Sequence, residues 1–320
     1  MRIALYVLLC ILWIPLFLLG YIFYVIPVYR SRGKVSGTTY EPFIGRLLYH
    51  LHGGRPDPAA LQLSRGLPVT NSLVMATIFY PLVWASRITG YTPELLQYPL
   101  TDFSKFTSIM AARTQFLDTA LDECIETGDQ IVILGAGWDT RAYGMLRDKQ
   151  VNIFEVDAPA TQAVKRAALE KSGIDAAHVC FVSCDFNQNS WLDALKANGF
   201  SQQQRSFILW EGVTMYLEES TIIDTFKMVA SLAPGSRIAC DFFTREWFEG
   251  TKAGKATAKA ISAQYGEPWI FGMPHQPDLE SALGEYLNKC GLILVRNLMI
   301  GVETNGQAPV GGLLLAKTPA

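Results

Sequence analysis

Gly135 and Gly137, the acids Asp157, Asp185 and Glu211, and the lone Arg113 upstream are the residues whose types and spacing suggest shared chemistry. Gln130 to Leu134 is a short apolar run rich in β-branched residues, and it opens straight into Gly135-Ala136-Gly137. A strand, a Gly-x-Gly turn and a helix start let a ligand approach the backbone and offer unpaired N–H groups. Asp157 lies 22 residues after Gly135, a spacing that suits a carboxylate accepting from two ribose hydroxyls. Asp185 closes the next apolar run and can accept from the exocyclic amine of adenine. Glu211 closes the one after, near the middle of the crevice, where a positively charged amine or the reacting groups would sit. Arg113 interrupts the apolar face of a helical stretch between Met110 and Phe116. A buried guanidinium there needs an anion, either a protein carboxylate or a ligand carboxylate.

Two cofactors contain the adenosine that such a crevice would hold. A nicotinamide dinucleotide needs a pyrophosphate pocket, usually with a third small residue at the Gly-x-Gly-x-x-Gly position. Here that position is Thr140, and Asp139 at the expected helix start would repel a phosphate. S-adenosylmethionine has no phosphate and carries a carboxylate, an ammonium and a sulfonium. Acids near the glycines then fit, and Arg113 gains a natural partner, so the charge pattern favours the methyl donor.

The elements that must position these residues alternate. Strands are expected at Ile131–Leu134, Val151–Val156, Val179–Ser183, Ser206–Trp210 and Arg237–Phe242, with helices near Trp138–Leu146, Pro159–Lys171, Trp191–Ala197 and Ser220–Leu232. This pattern predicts an α/β fold with a parallel sheet covered by helices on both faces, and ligands in such sheets bind at the carboxyl ends of the strands. A helix capped by Thr101 or Asp102 is expected to run to about Glu126. Thr244–Gln276 breaks the rhythm and reads as an insertion over the sheet edge. A last helix, Asp278–Lys289, leads to closing strands Leu292–Ile300 and Val310–Ala316, joined through the Gly301–Gly311 hairpin.

The amino-terminal third is different in kind. Ile3 to Val28 carries no charge, and as a helix its 26 residues would extend roughly 39 Å, enough to span a bilayer. Arg30, Arg32 and Lys34 outnumber the flanking charge at the other end, so the positive-inside bias puts the catalytic part in the cytoplasm. The expected organisation is a transmembrane anchor over 1–30, a juxtamembrane linker and helical cap over 31–100, and the catalytic domain over 101–320. Leu73–Ala85 is apolar but too short to span, so it either packs on the domain or lies on the membrane surface. The net charge of −2 gives no reason to expect nucleic-acid binding. The six cysteines form no C-x-x-C pair, and reduced, buried thiols are expected. His50 and His52 lack the acids or cysteines of a metal site.

With these residues assembled, the chain resembles the leucine carboxyl methyltransferase-like family of class I S-adenosylmethionine-dependent methyltransferases, and within it a bacterial branch of O-methyltransferases. The resemblance rests on Ala112-Arg113-Thr114-Gln115-Phe116-Leu117-Asp118, VILGAGWDTRAY (132–143), FEVDAPATQAVKR (154–166), FVSCDF (181–186) and WEGVTMYL (210–217), and it covers Thr101 to the C-terminus. The family usually has an arginine shortly after the Asp-Thr-Arg-Ala-Tyr run, whereas Gly144 and Met145 stand there in this chain. The resemblance implies a Rossmann-like seven-stranded sheet with the last strand antiparallel. It implies that Arg113 holds the cofactor's methionine carboxylate, that Gly135, Ala136 and Gly137 line its methionine part, and that Glu211 faces that end. Asp157 would take the ribose, and Asp185 and Phe186 would flank the adenine.

The expected reaction is in-line displacement of the methyl group by an oxygen of a small or lipid-like acceptor, driven by positioning and desolvation. A carboxylate acceptor needs no base. For a hydroxyl, the candidates are Glu211, Tyr216 and His275. Pocket walls are expected from Leu73–Ala85 and from the aromatic insertion, with Trp247, Phe248, Tyr265, Trp269 and Phe271. Two other classes compete: an NAD(P)-dependent oxidoreductase, and a membrane-tethered binding protein that keeps the fold without the activity.

Overall fold

Seven strands form one sheet in the order β3-β2-β1-β4-β5-β7-β6, and everything else is arranged on its two faces. The computed structural model describes residues 1–31, 35–186, 188–301 and 308–319. The strands are β1 Gln130–Leu134, β2 Asn152–Asp157, β3 Val179–Ser183, β4 Ser206–Trp210, β5 Arg237–Phe243, β6 Ile293–Ile300 and β7 Gly311–Lys317. The first five pair in parallel, and β7 runs antiparallel between β5 and β6. Residues 302–307 of the expected β6–β7 hairpin lie outside the described residues.

The sheet is central because its strands alternate between two apolar interiors. Ile131 and Ile133 of β1, with Phe207 and Leu209 of β4, enter one core, while Val132, Leu134, Ile208 and Trp210 enter the other. Side chains point to opposite faces every second residue, so only a strand with both faces covered can be apolar throughout.

The helices are α1 Arg2–Ser31, α2 Tyr40–His52, α3 Pro58–Ser64, α4 Ser72–Thr89, α5 Ile109–Cys124, α6 Pro159–Lys171, α7 Trp191–Lys196, α8 Glu219–Ala230, α9 Arg245–Gly250, α10 Lys252–Tyr265 and α11 Leu279–Lys289. Helix α4 contains a π-helical turn at Met75–Phe79. Helices α2 to α6 contribute side chains to the first core, and α7, α8 and α11 to the second.

Three local expectations change. The helix expected at Trp138–Leu146 is only a 3-10 turn at Arg141–Tyr143. Asp139 Oδ1 accepts from the Arg141 N–H at 2.7 Å, and such a local side-chain bond competes with helix formation. The helix expected from Thr101 begins at Ile109, because Asp102 Oδ1 accepts from Ser104 N at 2.9 Å and closes a turn instead. The stretch 31–100 contributes little linker. Phe43 and Leu47 of α2, Ala60 and Leu63 of α3, and Val74 and Val83 of α4 share the core of β1 and β4.

Candidate active site

Strand order reverses at β1, whose neighbours are β2 on one side and β4 on the other, so a crevice opens at the carboxyl ends of these strands. A cavity of about 270 Å³ occupies that place. Its lining includes Arg113, Gly135, Ala136, Gly137, Asp157, Asp185, Phe186, Glu211 and Tyr216, residues drawn from segments far apart in the chain. His275 is not among them. It sits between α9 and α11 with Nδ1 3.2 Å from Glu246, which removes it as a candidate base.

The glycine turn is forced by its surroundings. Gly135 and Gly137 have φ of +65° and +38°. A Cβ on Gly135 would lie 2.5 Å from Val213, and one on Gly137 would lie 2.8 Å from Thr39. Both positions therefore need glycine for conformation and for space. No helix N-terminus follows, so the ligand-facing donors here come from the turn itself. Asp157 holds the turn in place. Its Oδ2 accepts from Gly137 N at 2.6 Å and its Oδ1 from Ala158 N at 2.7 Å. Burial raises its pKa, against these two backbone donors.

Arg113 has a protein partner that the sequence reading did not identify. Its Nη2 lies 2.6 Å from Asp241 Oδ2, and Asp241 Oδ1 accepts from Gly212 N at 2.6 Å. Asp241 interrupts the apolar run Ile238–Phe243 as Arg113 interrupts its own helix face, so the same signal could have found it. Glu211 is likewise engaged. It accepts from Arg141 Nη1 at 2.5 Å and from Arg46 Nη1 at 3.1 Å. Burial would raise its carboxyl, but Arg141 and Arg46 outweigh burial and lower it. A carboxylate held by two guanidinium groups is a poor proton acceptor, which corrects its candidacy as a base. Tyr216 lines the cavity, but burial pushes its hydroxyl above the usual phenol range, so it keeps its proton and no phenolate is available as a base.

Asp139 also differs from expectation. It pairs with Arg141 at 2.5 Å and lies 4.0 Å from Arg46, so its charge is compensated and does not by itself repel a phosphate. Beneath this layer, Asp118 bridges Arg141 and Arg55, each at 2.6 Å. Arg55 also pairs with Asp57, which accepts from Thr140 Oγ1 at 2.8 Å. Arg46 lies in the apolar run of α2, and only its charge within that run marked it in the sequence.

The remaining walls differ from those expected. Leu73–Ala85 does not line the cavity, while Thr38, Glu41, Phe106, Ile109, Ile261 and Trp269 do. Glu267 ties the chain before α2 to the insertion, accepting from Ser36 Oγ at 3.1 Å, Gly37 N at 2.9 Å and Thr38 Oγ1 at 2.5 Å. Trp269 stacks on Phe243, with ring centroids 4.2 Å apart. Phe271 belongs to the other core.

A parallel sheet with its antiparallel strand inserted before the edge, and a crevice of acids around a glycine turn, define the class I S-adenosylmethionine-dependent methyltransferase architecture. Residues 77–230 match the leucine carboxyl methyltransferase family. Over that stretch the chain is similar to leucine carboxyl methyltransferases of this class. A candidate S-adenosylmethionine-dependent methyltransferase of Mycobacteroides abscessus is 33% identical over 195 residues, covering 57% of this chain and 64% of that relative. A second from the same organism is 29% identical over 227 residues, covering 63% of this chain and 74% of the relative. One from Streptomyces coelicolor is 30% identical over 171 residues, covering 52% and 58%. The match thus spans less than two thirds of the first and third of these relatives.

The cavity fits the cofactor of this class. Arg113 Nε and Arg46 Nε are buried with no hydrogen-bond partner among the described residues. Unused donors on two buried guanidinium groups suit a ligand carboxylate.

Proposed function

We propose that the protein is an S-adenosylmethionine-dependent O-methyltransferase acting on a hydroxyl group of an apolar or lipid-like molecule, with Arg113 at the cofactor's carboxylate, Asp157 at its ribose, and Asp185 and Phe186 at its adenine. One observation carries the choice of hydroxyl over carboxylate. Among the described residues the cavity is lined by six acids (Glu41, Asp139, Asp157, Asp185, Glu211 and Glu267) and two cations, Arg46 and Arg113. Both arginines are already paired with carboxylates. Acids in excess of cations attract a sulfonium, and once the cofactor's own carboxylate is seated at Arg113 no unpaired cation remains among the lining residues to hold a carboxylate acceptor.

Bound S-adenosylmethionine supplies an electrophilic methyl group on a sulfonium. An acceptor hydroxyl that took up that methyl would have to give its proton to a nearby base. Glu41 is placed for that role, on the cavity wall and within hydrogen-bonding reach of Tyr265. Burial raises its pKa, opposed by Arg113 and Tyr265 and reinforced by Glu267. A carboxylate so perturbed holds a proton more readily than a free one. The apolar part of the acceptor would lie against Phe106, Ile109, Ile261 and Trp269. The apolar helix α1 supports an acceptor drawn from a membrane.

The test is labelled-methyl transfer into a lipid and metabolite extract, followed by mild alkali. Label that survives alkali as an O-methyl ether is expected. Label released as methanol would show a methyl ester and overturn the choice of acceptor.

A further inference from the structure

Helix α1 meets the globular domain at both of its ends and along its length. At its start, the Tyr6 ring packs edge-on against Tyr91 with centroids 5.2 Å apart, and the Arg2 guanidinium lies beside Gly90. Further along, Gly20 lies so close to α4 that a Cβ there would come within 2.0 Å of Thr77 Oγ1. At its end, Val28 is buried in the first core, and Tyr24 hydrogen-bonds to Tyr265. Helices α1 and α4 therefore run antiparallel, side by side. Helix α4 is itself fixed to the domain. Its Val74, Phe79 and Val83 are core residues, Ser86 Oγ lies 3.1 Å from His52 Nε2, and Arg87 bonds to Leu51 O.

A helix that crosses a bilayer away from its domain touches that domain at one end only. Here a full crossing would carry α4, and with it the edge of the catalytic core, into the hydrocarbon. The outer surface of the pair is nevertheless apolar. From Ile3 to Ile26 of α1, large apolar side chains are exposed on every side not covered by α4. On α4, Leu73, Trp84 and Ile88 are exposed, Ile88 to 71%. The exposed apolar surface is thus shared by two helices. Arg2 and Arg30 stand at the two ends of α1, where both can reach headgroups of the same leaflet.

We infer that α1 and the outer face of α4 form one in-plane plate that enters a single leaflet of a lipid bilayer, so that both termini of the chain lie on the same side of the membrane. The bilayer is the occupant because the surface is far larger than the few hundred Å² that soluble monomers expose and has basic residues at both ends. The plate also explains how an apolar acceptor reaches the site. Tyr265, which holds Tyr24 of α1, is bonded to Glu41 on the cavity wall, so the leaflet lies beside the acceptor end of the cavity.

This inference rests on α1 being the membrane contact but not on methyl transfer, and the experiment separates the two. The full chain carries one epitope at each terminus and is expressed in bacteria, and protease accessibility is read in spheroplasts and in inverted vesicles. Both epitopes should be protected in spheroplasts and cleaved in inverted vesicles, with the chain retained in the membrane fraction at high salt. Epitopes on opposite sides would overturn the in-plane arrangement and leave a membrane anchor intact. A chain found entirely in the soluble fraction would overturn both. The second arm is the W84E/I88E variant, checked for fold by cofactor binding in calorimetry. Its partition onto vesicles of mixed neutral and anionic phospholipid should fall about 100-fold, as two apolar side chains are lost from the hydrocarbon. Unchanged partition of a folded variant would show that α4 stays outside the leaflet and sink the two-helix plate.

Discussion

At the scale of single residues, the site is a set of charges that satisfy one another before any ligand arrives. Arg113 faces Asp241, and Glu211 faces Arg46 and Arg141. Such pairs are costly to break because the survivor is left buried and unpaired. The predictions for Asp157 and Glu41 differ for this reason. Asp157→Ala removes the acceptor that orders Gly137 and is proposed to hold the ribose. Cofactor affinity should weaken about tenfold or more, the equivalent of one charge-assisted contact. Glu41→Gln should leave cofactor affinity within about twofold and lower turnover about 100-fold, the range for loss of a general base. Calorimetry and turnover on the same preparations check both. A Glu41→Gln enzyme with full turnover would remove the base from the mechanism.

At the scale of elements, the turn after β1 is held by the preceding helices rather than by a helix of its own. Asp118 of α5 accepts from Arg55, which follows α2, and from Arg141 in the 3-10 turn, both at 2.6 Å. Burial would raise the Asp118 carboxyl, but Arg141 and Arg55 outweigh burial and lower it. Asp118→Asn leaves two guanidinium groups sharing fewer anions in a buried place. It should cost about 3 kcal/mol and lower the melting temperature by about 5 °C. Thermal unfolding of variant and parent at pH 7 measures this, and a shift under about 2 °C would show that the network reorganises. The strap before α2 is bolted through Glu267 in the same manner, so the strap and the start of α2 close one side of the cavity.

For the whole molecule, the buried acids divide into two sets with opposite effects of pH. Asp118, Asp139 and Glu211 are lowered by arginine partners against burial. Their stabilisation is present above the usual carboxylate pKa and is lost as pH falls below it. Glu155, buried beside Lys165, is pushed up to about 7 by burial and by Asp139, against the pull of Lys165. Between about 4.5 and 7 the folded state binds more protons there than the unfolded chain, so stability falls as pH rises through that window. The Glu155 contribution is on the order of 3 kcal/mol. Unfolding followed from pH 3 to 8 should show a maximum near pH 5, and Glu155→Gln should flatten the descent from 5 to 7. An unchanged descent in that variant would assign it to other groups.

Much of the sheet was legible in the sequence for one reason. A strand buried on both faces must be apolar throughout, so Ser206–Trp210 could be bounded to the residue. The glycine turn and the acids that close the strands follow from the same geometry, because strand ends are local features. What sequence could not supply was the partner of each charge. Whether Arg113 faces Asp241 or a ligand, whether Glu211 is free to take a proton, and whether Asp139 repels a phosphate all depend on residues brought together across the chain. In α1, 26 uncharged residues lead to the expectation of a membrane contact. Its direction depends on the tertiary structure, because hydropathy sums along a helix while the contacts of Tyr6, Gly20 and Val28 depend on what lies beside it.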